Sequence, residues 1–308
     1  MKSYYRVMLG QKSMFAAECF AGNFIGTDYE IPQDLKNELP DDWRAFNKKF
    51  VPIFLAGHPG KSKIGAGLAC GSLWTVSKGI QQGDIVLCPD GTGQYRAGEV
   101  NGDYYYAPGG VLPHRRPVTW REASISRASM SEALRNSTGS IGTVSNISSY
   151  AQEIEALMGP HSMTTVTVND DAVEEAVTFA LEKHLEDFLV HNWVQTDLGK
   201  EYDIFEEDGN IAGRQYPTDT GPIDILAVKK DKSEILVVEL KRGRASDVVV
   251  GQILRYMGYV AQELVEPNQK VKGVIIALED DQKLRRALYM TPNIDFYCYQ
   301  VSFKLHKA

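Results

Sequence analysis

Residues 221–256 constrain this chain more than any other stretch, because they set ionisable side chains inside two runs that otherwise read as buried strands. Gly221-Pro222-Ile223-Asp224-Ile225-Leu226-Ala227-Val228 is followed by a charged turn over 229–233 and then by Ile235-Leu236-Val237-Val238-Glu239-Leu240-Lys241. Apolar, β-branched runs on both sides of a short polar turn predict a β-hairpin. Side chains two apart on a strand share a face, so Glu239 and Lys241 project together. An ionised group is costly to bury unless it is paired or holds a cation. Asp224, Glu239 and Lys241 on neighbouring strands therefore make a site for a divalent cation with a fixed positive charge beside it. The helix predicted next carries Gln252 and Tyr256, four apart and so on one face. Between strand and helix stand Arg242 and Arg244, placed to hold a phosphate near the site.

Carboxylate oxygens suit Mg²⁺, which keeps several waters and also binds substrate phosphate; Mn²⁺ is the alternative ion. Such a centre polarises a phosphoryl oxygen and acidifies a water, and a lysine beside it can position that water or stabilise developing charge. Asp224, Glu239-Leu240-Lys241 and the Gln252/Tyr256 pair, in that order, resemble the PD-(D/E)xK nuclease family, in the branch of the NucS-like endonucleases and some RecB-like nucleases. Pro222-Ile223-Asp224 departs slightly from the family's Pro-Asp. The resemblance covers about residues 170–305. It implies an α/β (α+β) fold, a restriction-endonuclease-like mixed sheet flanked by helices. It also implies that Asp224 and Glu239 hold the metal, that Lys241 acts on the water, and that Gln252 and Tyr256 orient the lysine or the substrate.

A long helix over 171–193 is expected to open this domain, with Asn169 or Asp170 as its N-cap and acidic residues in its first turn. Val173, Val177, Leu181, Leu185 and Phe188 form its apolar stripe. At 100° per residue, Glu182 lies on the flank of that stripe and Glu186 nearer solvent. The family adds a carboxylate from this helix, and Glu182, in Glu-Lys-His-Leu, matches the family's E-x-x-L form. Glu182 is preferred over Glu186 on that basis. His184 and His191 read as surface residues.

Length and composition bound the rest. A chain of 308 residues allows two domains. It has no apolar run long enough for a transmembrane helix, so no membrane contact is expected, and its first residues lack the apolar core of a signal peptide. Cys19, Cys70, Cys88 and Cys298 are scattered and read as reduced thiols of a cytoplasmic protein. The net charge of −7 argues against a nucleic-acid coat protein but not against a nuclease with an acidic cleft.

Residues 1–120 show short apolar segments broken by Gly and Pro, the pattern of a mostly β, barrel-like domain. Strands are predicted over 4–9, 17–25, 84–89, 94–100 and 103–106, and a helix over 43–50. Asp84 reads as a solvent-facing residue at a strand start. The run 58–67 contains Gly60-Lys61-Ser62 without the spacing of a phosphate-binding loop, so it reads as a flexible loop and no nucleotide cofactor is expected. Gly83-Asp84-Ile85-Val86, the 98–106 run and His114-Arg115-Arg116-Pro117-Val118-Thr119-Trp120 resemble the PUA-like/EVE reader modules attached to modification-dependent restriction nucleases. That resemblance implies a pocket in which aromatic rings stack on a flipped base. Trp74, Tyr104, Tyr105, Tyr106 and Trp120 are the candidates, with Tyr104 and Tyr106 on one strand face and Tyr105 on the other. Arg115 and Arg116, with Lys61 and Lys63, are candidates to track phosphates. For each aromatic a place in the core stands as the alternative, and for each basic residue a solvated surface position.

Residues 121–170 read as a partly ordered linker, with nine serines between Ser124 and Ser149. Short helices are expected there over 131–135 and 149–158. The sequence as a whole points to a metal-dependent DNA endonuclease, with 171–308 as the nuclease domain. Modification-dependent restriction is the first expected role. A NucS-like repair enzyme acting on mismatched, branched or single-stranded DNA is the alternative, and a non-cleaving DNA-binding protein the other. One such site cuts one strand, so a homodimer is the expected assembly for double-strand cleavage.

Overall fold

A computed structural model describes residues 2–139, 142–159, 184–207 and 209–299. The chain divides into two units, Met1–Val166 and Thr167–Ala308.

The first unit runs in the order β1 (Tyr4–Val7), α1 (Ala16–Ala21), β2 (Phe24–Thr27), α2 (Trp43–Gly57), α3 (Lys63–Trp74), β3 (Ile85–Pro89), β4 (Gln94–Val100), β5 (Tyr105–Tyr106), β6 (His114–Ser126), α4 (Glu132–Thr138), β7 (Val144–Asn146) and α5 (Ala151–Met158). Its sheet has the order β2-β6-β4-β3-β1-β7, with β5 also on β6. Strand β6 organises it. Its first residues pair with β2 and β5, and those from Val118 onward pair with β4. The β4–β6 ladder shifts register between Arg96 and Gly98, a device that bends a strand and raises its twist. The sheet therefore curls, as the sequence implies.

Helices supply what the turn-rich sequence conceals. The expected strand over 17–25 is helix α1 followed by β2, with Asn23 at φ 55° reversing the chain between them. The expected loop over 58–67 runs into α3, capped by the Ser62 hydroxyl accepting from Gly65 N at 3.1 Å. Its glycines lower helix propensity, and α2 is tied to it by Asn47 Nδ2, which donates to Gly67 O at 3.2 Å. Phe46, Phe50 and Phe54 of α2 bury with Ala66, Ala69, Cys70 and Leu73 of α3. Asp84 is buried, not solvent-facing. Its carboxylate accepts from the backbone N–H groups of Ser3 at 2.9 Å and Gln81 at 2.8 Å, closing the start of β3.

The expected linker is folded from residue 121 to 159 wherever the structure describes it. Met130, Leu134, Ile147 and Ile154 bury against Tyr4, Ile85, Leu87 and Tyr95 of the sheet, and β7 pairs with β1. Arg6 fixes the connection between α4 and β7. Fully buried, it donates to Thr138 O at 3.0 Å and to Gly142 O, and burial lowers its pKa to about 10. Serine content misled because these serines cap helices and turns: Ser131 caps α4, and Ser148 accepts from Tyr4 N at 2.9 Å.

The second unit is described from residue 184. It comprises α6 (184–191), α7 (Asp197–Glu201), β8 (Tyr202–Ile204), the two-residue strands β9 (Glu206–Glu207) and β10 (Asn210–Ile211), β11 (Arg214–Tyr216), β12 (Ile223–Lys229), β13 (Glu234–Leu240), α8 (Asp247–Tyr259), β14 (Lys270–Ala277), α9 (Gln282–Tyr289) and β15 (Ile294–Cys298). The sheet order is β11-β12-β13-β14-β15, with β8 also on β12. The hairpin β12–β13 is antiparallel, whereas β13–β14 and β14–β15 are parallel, so the sheet is mixed. Helices cover both faces, the α/β arrangement expected. Ile225, Ala227, Leu236, Val238, Leu240, Val274 and Ile276 bury on one face with Leu189 of α6 and Trp193. The opposite face takes α8. Gly273 of β14 lies so close beneath it that a Cβ would sit 2.6 Å from Met257 Sδ.

The first unit thus continues past residue 120, and its described residues run to Gly159. A chain ended after Trp120 loses half of β6, all of β7 and five residues of a buried cluster, Ile125, Met130, Leu134, Ile147 and Ile154. It is expected to be insoluble or to lack a cooperative urea transition, whereas a chain ended after Gly159 unfolds cooperatively. Circular dichroism during urea titration checks this, and a cooperative transition for the shorter chain contradicts it.

Candidate active site

The site is assembled where the β12–β13 hairpin begins and ends. The ladder pairs Ile225 with Val238, and continuing that register by one residue sets Asp224 across from Glu239. Both side chains thus lie on the face opposite Ile225 and Val238, the face α8 covers. Asp224 Oδ2 accepts from Leu240 N at 2.8 Å, so the carboxylate also ties the two strands together. Glu239 is 1% exposed, and its Oε1 accepts from Lys241 Nζ at 2.7 Å. Lys241 continues the strand direction, its backbone N–H donating to Ile276 O at 2.8 Å. A charge-assisted pair of this kind offsets much of the cost of burying the glutamate.

Helix α8 supplies the next layer. Gln252 Nε2 donates to the Tyr256 hydroxyl at 3.3 Å. Burial raises the Tyr256 pKa, and the nearby charges of Glu239 and Asp224 raise it further, against Gln252 and Lys241, which lower it. The tyrosine therefore stays a neutral hydroxyl facing the carboxylates. Gly221, just before β12, has φ +122°, and a Cβ there would stand 3.0 Å from the Tyr256 hydroxyl oxygen. Backbone conformation and close approach both call for glycine at that point.

In the preceding helix the structure places Glu186 and Phe188 otherwise than the expected apolar stripe does. Glu182 lies outside the described residues. Glu186, expected nearer solvent, is 6% exposed, and Phe188, expected in the apolar stripe, is 63% exposed. The inward face of α6 is Leu185, Glu186 and Leu189, leading on to Trp193. Counting Phe188 as core turned the helical wheel the wrong way. Glu186-Asp187-Phe188-Leu189 is also an E-x-x-L string, a signal as strong as the one at Glu182. The Glu186 carboxylate accepts from Arg214 Nε and Gln215 Nε2, and Arg214 also holds Asp187. Burial pushes the Glu186 pKa up and the nearby Asp224 adds to this, while Arg214 pulls it down. Gln215 Nε2 reaches Asp224 Oδ1 as well, at 3.1 Å. A connected line runs from Arg214 through Glu186, Gln215 and Asp224 to the Leu240 backbone.

Arg242 is half-buried, and its carbonyl accepts from the Tyr299 hydroxyl. Arg244 is exposed and donates from Nε to Asp280 O at 3.3 Å. The candidates in the first unit turn inward. Tyr104 is 7% exposed; its hydroxyl accepts from Leu35 N at 3.1 Å and donates to His114 Nδ1 at 3.0 Å, while His114 Nε2 donates to Ile31 O at 2.9 Å. Burial lowers the His114 pKa, consistent with this neutral ring. Tyr106 is half-buried with its ring 5.2 Å from that of His114. Trp74 donates to Pro40 O at 2.9 Å and Trp120 to Cys19 O at 3.3 Å. Arg116 is 4% exposed and donates to Ser77 O at 3.2 Å. Arg115 donates to Leu112 O at 3.1 Å and lies 3.8 Å over the Phe24 ring. Tyr104 and Arg116 are thus core residues here, not surfaces for a base or a phosphate. Among these aromatics Tyr105 alone is exposed. Cys19, Cys70 and Cys88 are buried and Cys298 is exposed, all as free thiols.

Among the described residues no group of three or more His, Cys, Asp or Glu side chains forms a ready metal cluster. The donor set at Asp224 and Glu239 nonetheless suits Mg²⁺ or Mn²⁺, which use one or two carboxylates and fill the rest of their shell with water and phosphate. No helix among the described residues is long and apolar enough to cross a membrane.

One family match falls on the same segment. Residues 182–296 match the endonuclease NucS C-terminal domain family. Residues 5–148 match a separate family, a domain of unknown function (DUF8426). An endonuclease NucS of Corynebacterium aurimucosum is 36% identical over 100 residues, 32% of this chain and 37% of that protein. One of Methanocaldococcus jannaschii is 35% identical over 75 residues, 24% of this chain and 27% of that protein. The chain thus spans only about a third of the length of the curated relatives it matches. Among solved structures, an EndoMS complex with double-stranded DNA aligns with TM-score 0.33 and 13% identity over 68% of this chain and 62% of that one. A repair endonuclease from Pyrococcus abyssi aligns with TM-score 0.30 and 15% identity over 69% and 66%.

Gly221→Ala is expected to destabilise the second unit by about 1–3 kcal/mol, through the strained φ and the contact with Tyr256. In a Tyr256→Phe background the loss shrinks, because the hydroxyl that the methyl meets is gone. Urea unfolding of the four proteins of this cycle measures it, and equal losses in both backgrounds would show that the contact plays no part.

Proposed function

We propose that the chain is a divalent-metal-dependent DNA endonuclease whose catalytic centre is Asp224, Glu239 and Lys241, buttressed by Gln252 and Tyr256. The observation that carries the reading is the register of the β12–β13 hairpin. It sets two carboxylates across from each other on the face covered by α8, with a lysine 2.7 Å from the buried one, in the segment that matches the NucS C-terminal domain. Strands otherwise built for a hydrophobic core have little structural use for such a cluster.

Asp224 and Glu239 would hold Mg²⁺ or Mn²⁺, and the ion when bound supplies Lewis acidity toward the phosphate and an acidified water. Lys241, fixed by Glu239 on its own strand, orients the attacking water and offsets negative charge that grows on the phosphoryl oxygens. Tyr256, a neutral hydroxyl held by Gln252, limits where lysine and phosphate can settle. Glu186, neighbour to Asp224 through Gln215, adds negative charge on the side away from Glu239. Arg242 and Arg244 follow Lys241 directly in the chain and suit flanking phosphates. A second copy of the chain would provide the second cut in duplex DNA.

The match to the NucS C-terminal domain family lies in the second unit, and a NucS-like repair substrate is the reading it favours. Residues 5–148 match a separate family, and we infer that this first unit selects the substrate. Cleavage with Mg²⁺ or Mn²⁺ of four DNAs tests the reading: unmodified duplex, mismatched duplex, splayed-arm DNA and cytosine-modified phage DNA. Metal-dependent cutting is expected, falling by about 10²–10³-fold in Lys241→Ala and at least as far in Asp224→Ala. Preference for mismatched or splayed DNA supports the repair role, and cutting of modified DNA alone transfers the reading to restriction. No cutting of any DNA by parent or variants transfers the reading to a non-cleaving binding protein, and equal cutting by parent and variants removes Asp224 and Lys241 from the catalytic centre.

A further inference from the structure

Gln215 is an exposed residue in a conformation that glutamine seldom adopts. It stands in strand β11 with φ +49°, in the left-handed region, where residues other than Gly, Asn and Asp are uncommon. Its neighbours Arg214 and Tyr216 pair with β12, and the residue itself is exposed. What the conformation achieves is visible at the amide. One nitrogen, Nε2, donates to Glu186 Oε2 and to Asp224 Oδ1, the latter at 3.1 Å. Both N–H bonds of the amide therefore point at carboxylates, and its oxygen faces away from them. A strained, exposed residue whose side chain bridges two acids is more than a packing element, because strain of this kind persists only where the surroundings impose it.

The consequence falls on Asp224. Leu240 N donates to Oδ2 at 2.8 Å and Gln215 Nε2 to Oδ1 at 3.1 Å, so both carboxylate oxygens are held and the plane of the group cannot turn freely. Without the amide, Asp224 loses the donor that Gln215 sets on Oδ1, and the bridge to Glu186 goes with it. Groups behind metal ligands fix the ligands' orientation in this way, and their loss typically lowers metal affinity by about 10–100-fold.

We propose that Gln215 is a positioning residue for the metal centre, its amide locking Asp224 against Glu186 in the orientation that receives the divalent ion. The inference rests on the nuclease reading above and deepens it. It needs no contact between Gln215 and DNA or ion.

The test uses the full-length protein and Mn²⁺ alone, followed by electron paramagnetic resonance, in which the signal of free aqueous Mn²⁺ falls as the ion binds. Gln215→Gly and Gln215→Asn both accept the left-handed backbone, while the first removes the amide and the second shortens it by one methylene. Both are expected to melt within a few degrees of the parent and to bind Mn²⁺ about tenfold more weakly or worse. Mn²⁺ affinity equal to the parent's in both variants overturns the proposal. So does weak binding accompanied by a collapse in melting temperature, which would make Gln215 a purely structural residue. Asp224→Ala separates the two levels of the account. If the parent binds Mn²⁺, Asp224→Ala does not, and the Gln215 variants bind like the parent, this inference alone fails. If the parent takes up no Mn²⁺, or Asp224→Ala binds as the parent does, the metal centre itself is refuted and the inference falls with it.

Discussion

A glutamate with 1% of its surface exposed, held by a lysine two residues along the same strand, is the interaction on which the second unit depends. Removing an ionised carboxylate from water costs several kcal/mol, and the attraction of one partly exposed lysine offsets that only with good geometry. The strand supplies the geometry. Glu239 and Lys241 share a face, the parallel pairing with β14 fixes the backbone on one side, and the antiparallel pairing with β12 brings Asp224 opposite on the other. A hydrophobic pair would serve the fold as well or better. The arrangement makes physical sense as a centre that gains its last stabilisation from a cation and an anionic substrate.

Around that centre the layers follow from simple requirements. The face of Ile225, Val238 and Ile276 is filled by apolar side chains and leaves no place for charge, so chemistry is confined to the α8 face. There, Gly273 lets the helix approach, and Gly221 leaves room for the Tyr256 hydroxyl. Arg214 balances Glu186 and Asp187 at the far end of the line of acids. Cations thus close both ends of the acidic row, with Arg214 at one and Lys241 at the other.

How much of this can be read from the sequence differs by element. The hairpin, its facing and the pairing of Gln252 with Tyr256 are legible because strand and helix periods fix which side chains share a face. The carboxylate from the preceding helix is not. Glu186 and Glu182 both fit E-x-x-L, and an exposed Phe188 rotates the apparent stripe away from the true one. Gln215 is invisible for a different reason: its role depends on a left-handed φ that no glutamine announces. In the first unit, the strands over 85–89 and 94–100 and the short helices α4 and α5 follow their patterns, whereas glycines hide α3 and serines hide that α4 and α5 pack into the core of the first unit. The aromatic and basic residues of that unit illustrate the ambiguity of type. Tyr104, Arg116 and His114 carry the chemistry of recognition in sequence and the bonding of a satisfied core in the structure.

The most direct test of the central claim is to soak crystals of the protein with Mn²⁺ and collect anomalous diffraction at the manganese edge. The account predicts a peak in contact with the carboxylates of Asp224 and Glu239, absent from crystals of Asp224→Ala. No peak there, or a peak that survives the substitution, would contradict it.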